Sequence, residues 1–281
     1  MTPSLPPVIY EDLVRRTLLE DLGHAGDLTS DAIIPDGRQA AMALVARRPG
    51  VLAGLDVAAL AFRLIDPAIV FDRHCADGSE IAPGQTLARI DGSARAILTA
   101  ERTALNMLCH MSGIASATAA LCAAVKGHKA QIVCTRKTTP GLRALEKYAV
   151  RAGGGGNHRF GLDDAILIKD NHIAIAGGIR PAVQRAKAHA GHLVKIEVEV
   201  DTLAQLEELI PLGVDAVLLD NMPVAALRQA VTMIDGRLIS EASGGITEAT
   251  VAAVASTGVD LISVGWLTHS TAALDIGLDN V

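Results

Sequence analysis

The amino-acid sequence predicts an α/β protein: an incomplete (β/α) barrel with a smaller N-terminal α+β domain. Three observations carry that expectation. From about residue 130 onward, short runs of Val, Ile and Leu alternate with helical stretches, the pattern of parallel strands covered on both faces and joined by crossover helices. Strand after strand in that region ends in polar or charged side chains. The first third has another texture, of short strand-like segments parted by Gly-containing turns.

In chain order, residues 8–22 read as an amphipathic helix with Ile9, Leu13, Val14, Leu18 and Leu22 on its apolar side. Residues 23–30 read as a loop of turn and capping residues. Strand-like segments follow at 41–46, 69–73, 86–90 and 95–98, with a helix at 55–65 between the first two. Pro49-Gly50, Asp77-Gly78, Pro83-Gly84 and Asp91-Gly92 punctuate them. The stretch 77–85 has the composition of a lipoyl- or biotin-carrier turn, but no lysine stands at its tip to be modified. A helix from Thr99 to about Leu108 leads out of this part.

The barrel strands are expected at 131–135, 165–168, 194–198, 216–219, 238–242 and 261–264, with helices at 179–190, 203–210, 224–234 and 249–257. These strands fall short of the eight of a closed barrel, so a doubly wound open sheet is the alternative. The strand ends weigh for the barrel. They read Thr135-Arg136-Lys137, Lys169-Asp170-Asn171-His172, Glu197 and Glu199, Asp220-Asn221, Glu241 with Ser243-Gly244-Gly245, and Gly265. A single strand-end charge is ordinarily a solvated loop residue. A succession of them converges on one mouth in a barrel, where active sites are built, and is strung along an edge in an open sheet.

Composition narrows the function. The chain has 281 residues, 50% hydrophobic but 2% aromatic, so its core is built from Ala, Val, Leu and Ile and offers little surface for stacking bases. A net charge of −6 argues against a generic phosphate-backbone binder. No nucleic-acid partner is expected, and any anion site must be a local basic cluster. No apolar run approaches the roughly 18 residues of a membrane span, and Met1 to Pro7 lacks the pattern of a signal peptide. Cys75, Cys109, Cys122 and Cys134 show no C-x-x-C spacing and read as reduced thiols. His74-Cys75 and Cys109-His110 likewise lack zinc-ligand spacing. The expected compartment is the cytoplasm.

The chemistry of the mouth follows from its residues. Ser243-Gly244-Gly245-Ile246-Thr247 and Val264-Gly265 fall at the last two strands, where barrels commonly hold a phosphate on backbone N–H groups. Arg136, Lys137, Arg159 and Lys169, with His158, would repel one another without a polyanion among them. Arginine forks match carboxylates and phosphates. Glu199 and Asp220 supply the opposite sign. They suit ribose hydroxyls, a magnesium ion held through water, or a developing cation; salt bridges to Lys169 or Lys195 are the structural alternative.

Several runs carry a resemblance. Glu146-Lys147-Tyr148-Ala149-Val150-Arg151-Ala152 leads into Gly153-Gly154-Gly155-Gly156-Asn157-His158-Arg159. Thr135-Arg136-Lys137-Thr138-Thr139-Pro140-Gly141, Leu167-Ile168-Lys169-Asp170-Asn171-His172 and Leu218-Leu219-Asp220-Asn221 stand in order with Glu241-Ala242-Ser243-Gly244-Gly245-Ile246. Near the start are Glu20-Asp21-Leu22-Gly23 and Gly26-Asp27-Leu28-Thr29. Together, over nearly the whole chain, they resemble the quinolinate phosphoribosyltransferase family. The resemblance implies an N-terminal domain over 1–111, a barrel over 112–266 and a tail, 267–281, that packs back on the former. It implies a homodimer in which Arg102, within Glu101-Arg102-Thr103-Ala104-Leu105-Asn106, reaches the partner's site. Arg102, Thr135, Arg136, Lys137, His158, Arg159 and Lys169 would hold the quinolinate carboxylates and the pyrophosphate. Glu199 and Asp220 would face the ribose and magnesium (Mg2+), and Ser243, Gly244, Gly245, Val264 and Gly265 the 5-phosphate. Cys134 stands where the family pattern has an aspartate, which bears on the support of Arg136.

The implied activity is transfer of phosphoribosyl from phosphoribosyl pyrophosphate to quinolinate with loss of carbon dioxide, a step of NAD biosynthesis that gives nicotinate mononucleotide. Lys137, Glu199 and Asp220 are its expected catalytic residues. The rival readings are a molybdenum-transport-associated paralogue, a Schiff-base aldolase using Lys169, and a barrel that binds without turnover.

Overall fold

The structure, a computed structural model, describes residues 4–281; Met1 to Pro3, the start of the segment expected to carry no signal peptide, lie outside them. A 3-10 turn, Pro7–Ile9, opens into helix α1, Glu11–Leu22, and α2 spans Leu28–Ile33. Then come β1 Gln39–Ala46, β2 Gly50–Val51, α3 Leu55–Ile65, β3 Val70–Arg73, β4 Glu80–Ile81, β5 Thr86–Ser93 and α4 Ala94–Ala124. The second half runs β6 Gln131–Val133, α5 Arg143–Ala152, β7 Ile166–Ile168, α6 Asp170–Ala176, α7 Ile179–His189, β8 Ile196–Val200 and α8 Leu203–Leu209. It ends with β9 Ala216–Asp220, α9 Val224–Ile234, β10 Ile239–Ser243, α10 Val251–Ala255, β11 Leu261–Ser263 and β12 Ile276–Asn280.

These elements form two compact units. One takes the chain up to residue 119 together with 138–154 and 270 to the end; the other takes 120–137 and 155–269. The division is discontinuous: the first unit takes in the C-terminal tail, which the sequence expected to pack back on the N-terminal domain, and also 138–154, which the sequence placed in the barrel. Within the first unit the reason is visible. Glu146 of α5, wholly buried, accepts the Thr139 N–H at 3.0 Å and meets His110 of α4 at 3.0 Å.

The first unit is built on an antiparallel sheet of order β12-β1-β5-β3. Its terminal strand pairs Ile276 with Ala46 and Asn280 with Met42. Beside the sheet, α4 buries Ala100, Ala104, Leu108, Met111 and Ala115, a stripe at helical spacing. Residues 95–98, expected as a strand, are instead the first turn of α4. A four-residue run cannot tell a strand from a helix start, and the Ser93 Oγ accepts the Ala96 N–H at 3.4 Å, as an N-cap does. Residues 28–30, expected as loop, begin α2, because the Asp27 carboxylate accepts the Ser30 N–H at 3.0 Å. By length and composition α4 could cross a membrane, contrary to the sequence reading, but half of its most apolar window is buried inside the protein.

The second unit holds one parallel sheet of order β6-β11-β10-β9-β8-β7. Read in a ring, that order is the chain order, with a single opening between β6 and β7. A doubly wound sheet would reverse direction partway; this one never does, so it is the incomplete barrel. The β6 edge is covered locally by Gly156, whose N–H donates to Ile132 O at 2.8 Å while its carbonyl accepts the Cys134 N–H at 3.2 Å. Buried Val198, Val217, Leu219, Ala242 and Ile262 face the helices, leaving the alternate residues of each strand to point into the ring.

Candidate active site

The inward positions assemble the site. On β7 to β11 they are Leu167 and Lys169, Glu197 and Glu199, Leu218 and Asp220, Glu241 and Ser243, and Ser263 and Gly265. All but Glu197 line one cavity of about 660 Å3, together with Thr135, Arg136 and Lys137 after β6 and His158 and Arg159 from the loop before β7. Register sets two tiers. Leu218 is level with Glu199 and Glu241, and Asp220 is level with Ser243 nearer the opening.

One side of the cavity is basic. The Nε atoms of Arg136 and Arg159 are buried and have no hydrogen-bond partner among the described residues. Arg159 donates from Nη1 to Ala165 O at 3.0 Å. Its guanidinium is held below its ordinary pKa, first by burial and then by the charge of Arg136. Two like charges with unused donors, side by side and partly out of water, call for a polyanion. Lys137 lies over Gly265, where an added Cβ would sit 3.0 Å from its Cδ. Its carbonyl accepts a bond of 2.7 Å from the wholly buried Thr268 hydroxyl.

The acids divide by environment. Glu199 is ion-paired with Lys169 Nζ at 2.7 Å, the alternative left open in the sequence. Asp220 accepts from the Asn221 amide at 2.7 Å, and burial followed by the charge of Asp201 raises its pKa. Deeper lies a cluster the sequence did not assemble. His158 Nε2 is 2.9 Å from Glu197 and 3.7 Å from Glu241, whose exposure is 1%. Burial, then repulsion from Glu197, pushes Glu241 up to about 7. This trio is the one group among the described residues close enough to chelate a metal, and it is not the Glu199 and Asp220 neighbourhood expected for magnesium.

The glycine turns are tightly built. Gly244 has φ 90°, and a Cβ on it would come 2.1 Å from Asn221 Oδ1. The Trp266 indole donates to Ile246 O at 2.9 Å, tying the two turns together. That tryptophan carried no motif to reveal it.

Most of the expected site residues meet in the cavity, and two do not. Val264 is 1% exposed and gives its N–H to Val133 O at 3.0 Å, so the backbone donor expected for the 5-phosphate is already used by the sheet. Arg102 stands on α4 with 70% of its side chain exposed, bonded to Glu101 at 3.0 Å, and is not among the cavity's lining residues. His172 turns back to accept the Lys169 N–H at 2.9 Å and serves the start of α6. Cys134, in place of the family's aspartate, is buried and bonds Asn157 through Sγ at 3.3 Å.

Family models for the quinolinate phosphoribosyl transferase N-terminal and C-terminal domains match residues 27–112 and 114–279. The chain belongs to the quinolinate phosphoribosyltransferase family. Among its relatives, a carboxylating nicotinate-nucleotide pyrophosphorylase of Mycobacterium leprae is 48% identical, over 95% of this chain and 96% of that one. A probable enzyme of the same name from Bacillus subtilis is 45% identical over 95% and 92%. The solved nicotinate-nucleotide pyrophosphorylase of Francisella tularensis superposes with a TM-score of 0.94 at 38% identity, over 98% of this chain and 97% of that one. In this family member the expected site residues line the cavity, save Val264 and Arg102.

Proposed function

We propose that this chain is a decarboxylating quinolinate phosphoribosyltransferase that makes nicotinate mononucleotide, pyrophosphate and carbon dioxide from quinolinate and phosphoribosyl pyrophosphate. The carrying observation is the pair of buried, unpartnered Nε atoms of Arg136 and Arg159 in one cavity. A dicarboxylate placed there offers each guanidinium the acceptor it lacks.

The reaction starts when the bond between the anomeric carbon and pyrophosphate breaks, its electron pair leaving with pyrophosphate. Positive charge grows on the ribose ring, and the Asp220 and Glu199 carboxylates offset it. Lys137 and Lys169 draw the negative leaving group, and the turns at Gly244, Gly245 and Gly265 hold the 5-phosphate. The quinolinate nitrogen attacks the anomeric carbon. The resulting pyridinium takes up the electron pair of the neighbouring carbon–carboxylate bond, carbon dioxide leaves, and that ring carbon gains a proton. Magnesium fits this reading: Asp220, whose carboxylate together with Asp201 leaves negative charge to balance, would help to hold it. It would neutralise the departing phosphates.

The rival aldolase is disfavoured, because the Lys169 amine is engaged by Glu199 at 2.7 Å. We further place the enzyme in the cytoplasm, since its cysteines are all free thiols, and assign it a homodimer with Arg102 facing the partner's site. The test offers quinolinate, nicotinate and nicotinamide as competing acceptors. Release of carbon dioxide and pyrophosphate together, with quinolinate alone, is the expected result. Turnover of nicotinate, or none with quinolinate, would overturn the proposal.

A further inference from the structure

Decarboxylation leaves an unsatisfied requirement. When carbon dioxide departs from pyridine C2, the electron pair of the broken bond stays on that carbon, and one proton must be supplied for each turnover. The basic residues of the cavity bind the carboxylates as cations. The supplier must be an acid that reaches the cavity, keeps its proton near neutral pH and is not already engaged in binding phosphate.

His158 is the first candidate by residue type, and its hydrogen bonds rule it out. The Arg159 N–H donates to His158 Nδ1 at 2.8 Å, so that nitrogen is an acceptor. Nε2 therefore bears the hydrogen and donates it to Glu197 at 2.9 Å. Both ring nitrogens are thus engaged in hydrogen bonds.

Glu241 differs. Its carboxyl lines the cavity at 1% residue exposure, and its Oε1 has no hydrogen-bond partner among the described residues. His158 Nε2 is too far for a hydrogen bond at 3.7 Å. Around it stand Glu197 from β8, Leu218 paired with it from β9, Ser263 from β11 and His158 from the loop. A buried carboxylate with an empty acceptor, an apolar neighbour and a second carboxylate close by is unfavourable; a neutral carboxylic acid is not. We propose that Glu241 is the general acid that delivers a proton to pyridine C2 as carbon dioxide leaves, which rests on the decarboxylating activity proposed above. The O–H bond of Glu241 breaks, a C–H bond forms at C2, and the carboxylate is reprotonated from solvent before the next turnover. Burial and the neighbouring Glu197 charge place its pKa at about 7, suited to an acid working at neutral pH.

The experiment follows pyrophosphate and carbon dioxide separately in single turnovers. Glu241→Gln keeps the shape and lacks the acidic proton. It should release pyrophosphate at close to the wild-type rate and carbon dioxide on the order of 100-fold more slowly, with the undecarboxylated mononucleotide accumulating. The quinolinate KM should stay within a few-fold of wild type. In the wild-type protein the carbon dioxide step should be fastest on the acid side, fall as pH rises through about 7, and slow in heavy water, while pyrophosphate release does not. Equal losses in both steps in Glu241→Gln would show a structural role and overturn the proposal, as would unaltered carbon dioxide release. If the variant does not fold, a wild-type decarboxylation step that ignores both pH and heavy water overturns it alone. Failure of the wild type to turn over quinolinate at all would sink the activity itself, a different outcome.

Discussion

Arg136 and Arg159 are visible in the sequence as strand-end and loop cations; their cost to the empty protein is not. Each buries an Nε without a partner, and Arg159 also feels the charge of its neighbour. Function here opposes stability. Arg136→Met should therefore melt no lower than wild type in the absence of ligand, raise the quinolinate KM at least tenfold, and lose most of the ligand-induced rise in melting temperature. That rise corresponds to about 2.7 kcal/mol at a hundredfold excess over Kd. A clear loss of ligand-free stability would contradict the strain. The position of Gly244 suggests phosphate binding, but the reason for the residue type is local. At φ 90°, with Asn221 Oδ1 where a Cβ would sit, even alanine does not fit. Gly244→Ala should cost roughly 1–3 kcal/mol and raise the KM for phosphoribosyl pyrophosphate more than that for quinolinate, as steady-state kinetics with each substrate varied would reveal.

Among elements, legibility followed the strength of the pattern. The barrel strands were found because an apolar run buried on both faces has few other readings. Residues 95–98 were misread because helix α4 starts where β5 ends, with a serine cap and no Gly or Pro between them. Helix α5 and strand β12 were not expected at all. The first precedes a glycine run that dominates its motif, and the second is a short strand, Ile276–Asn280, recognisable only beside its partner β1. The C-terminal segment approaches α4 very closely: a Cβ on Gly113 would be 2.2 Å from the Ala272 carbonyl oxygen, and the Leu274 N–H donates to Cys109 O at 2.9 Å. Alanine is favoured over glycine in a helix by about 1 kcal/mol. Gly113→Ala should nevertheless destabilise by about 1–3 kcal/mol through overpacking, seen as a lower thermal midpoint. A higher midpoint would mean that the segment simply moves aside.

The whole molecule turns on one topological fact, the ring order of the strands with its opening between β6 and β7. That order brings Arg136, Lys169, Asp220 and Gly265 from separate strand ends to one mouth. The assembly prediction belongs at this scale. Arg102 is largely exposed on α4, and the role proposed for it lies in the site of a second copy. Mixed Arg102→Ala and Lys137→Ala proteins, each inactive alone, should regain part of the activity through hybrid dimers; free subunit exchange without any recovery would refute the shared site. The sequence alone determined the class of fold, the strand ends that carry charge and the family, because hydrophobic period and motif order are local properties of the chain. Tertiary structure decided barrel against open sheet, used the Val264 N–H within the sheet, paired Glu199 with Lys169, and set Glu241 beside Glu197 and His158. Each of these depends on which strand lies next to which and on what is shut away from water, and neither is a property of any one segment.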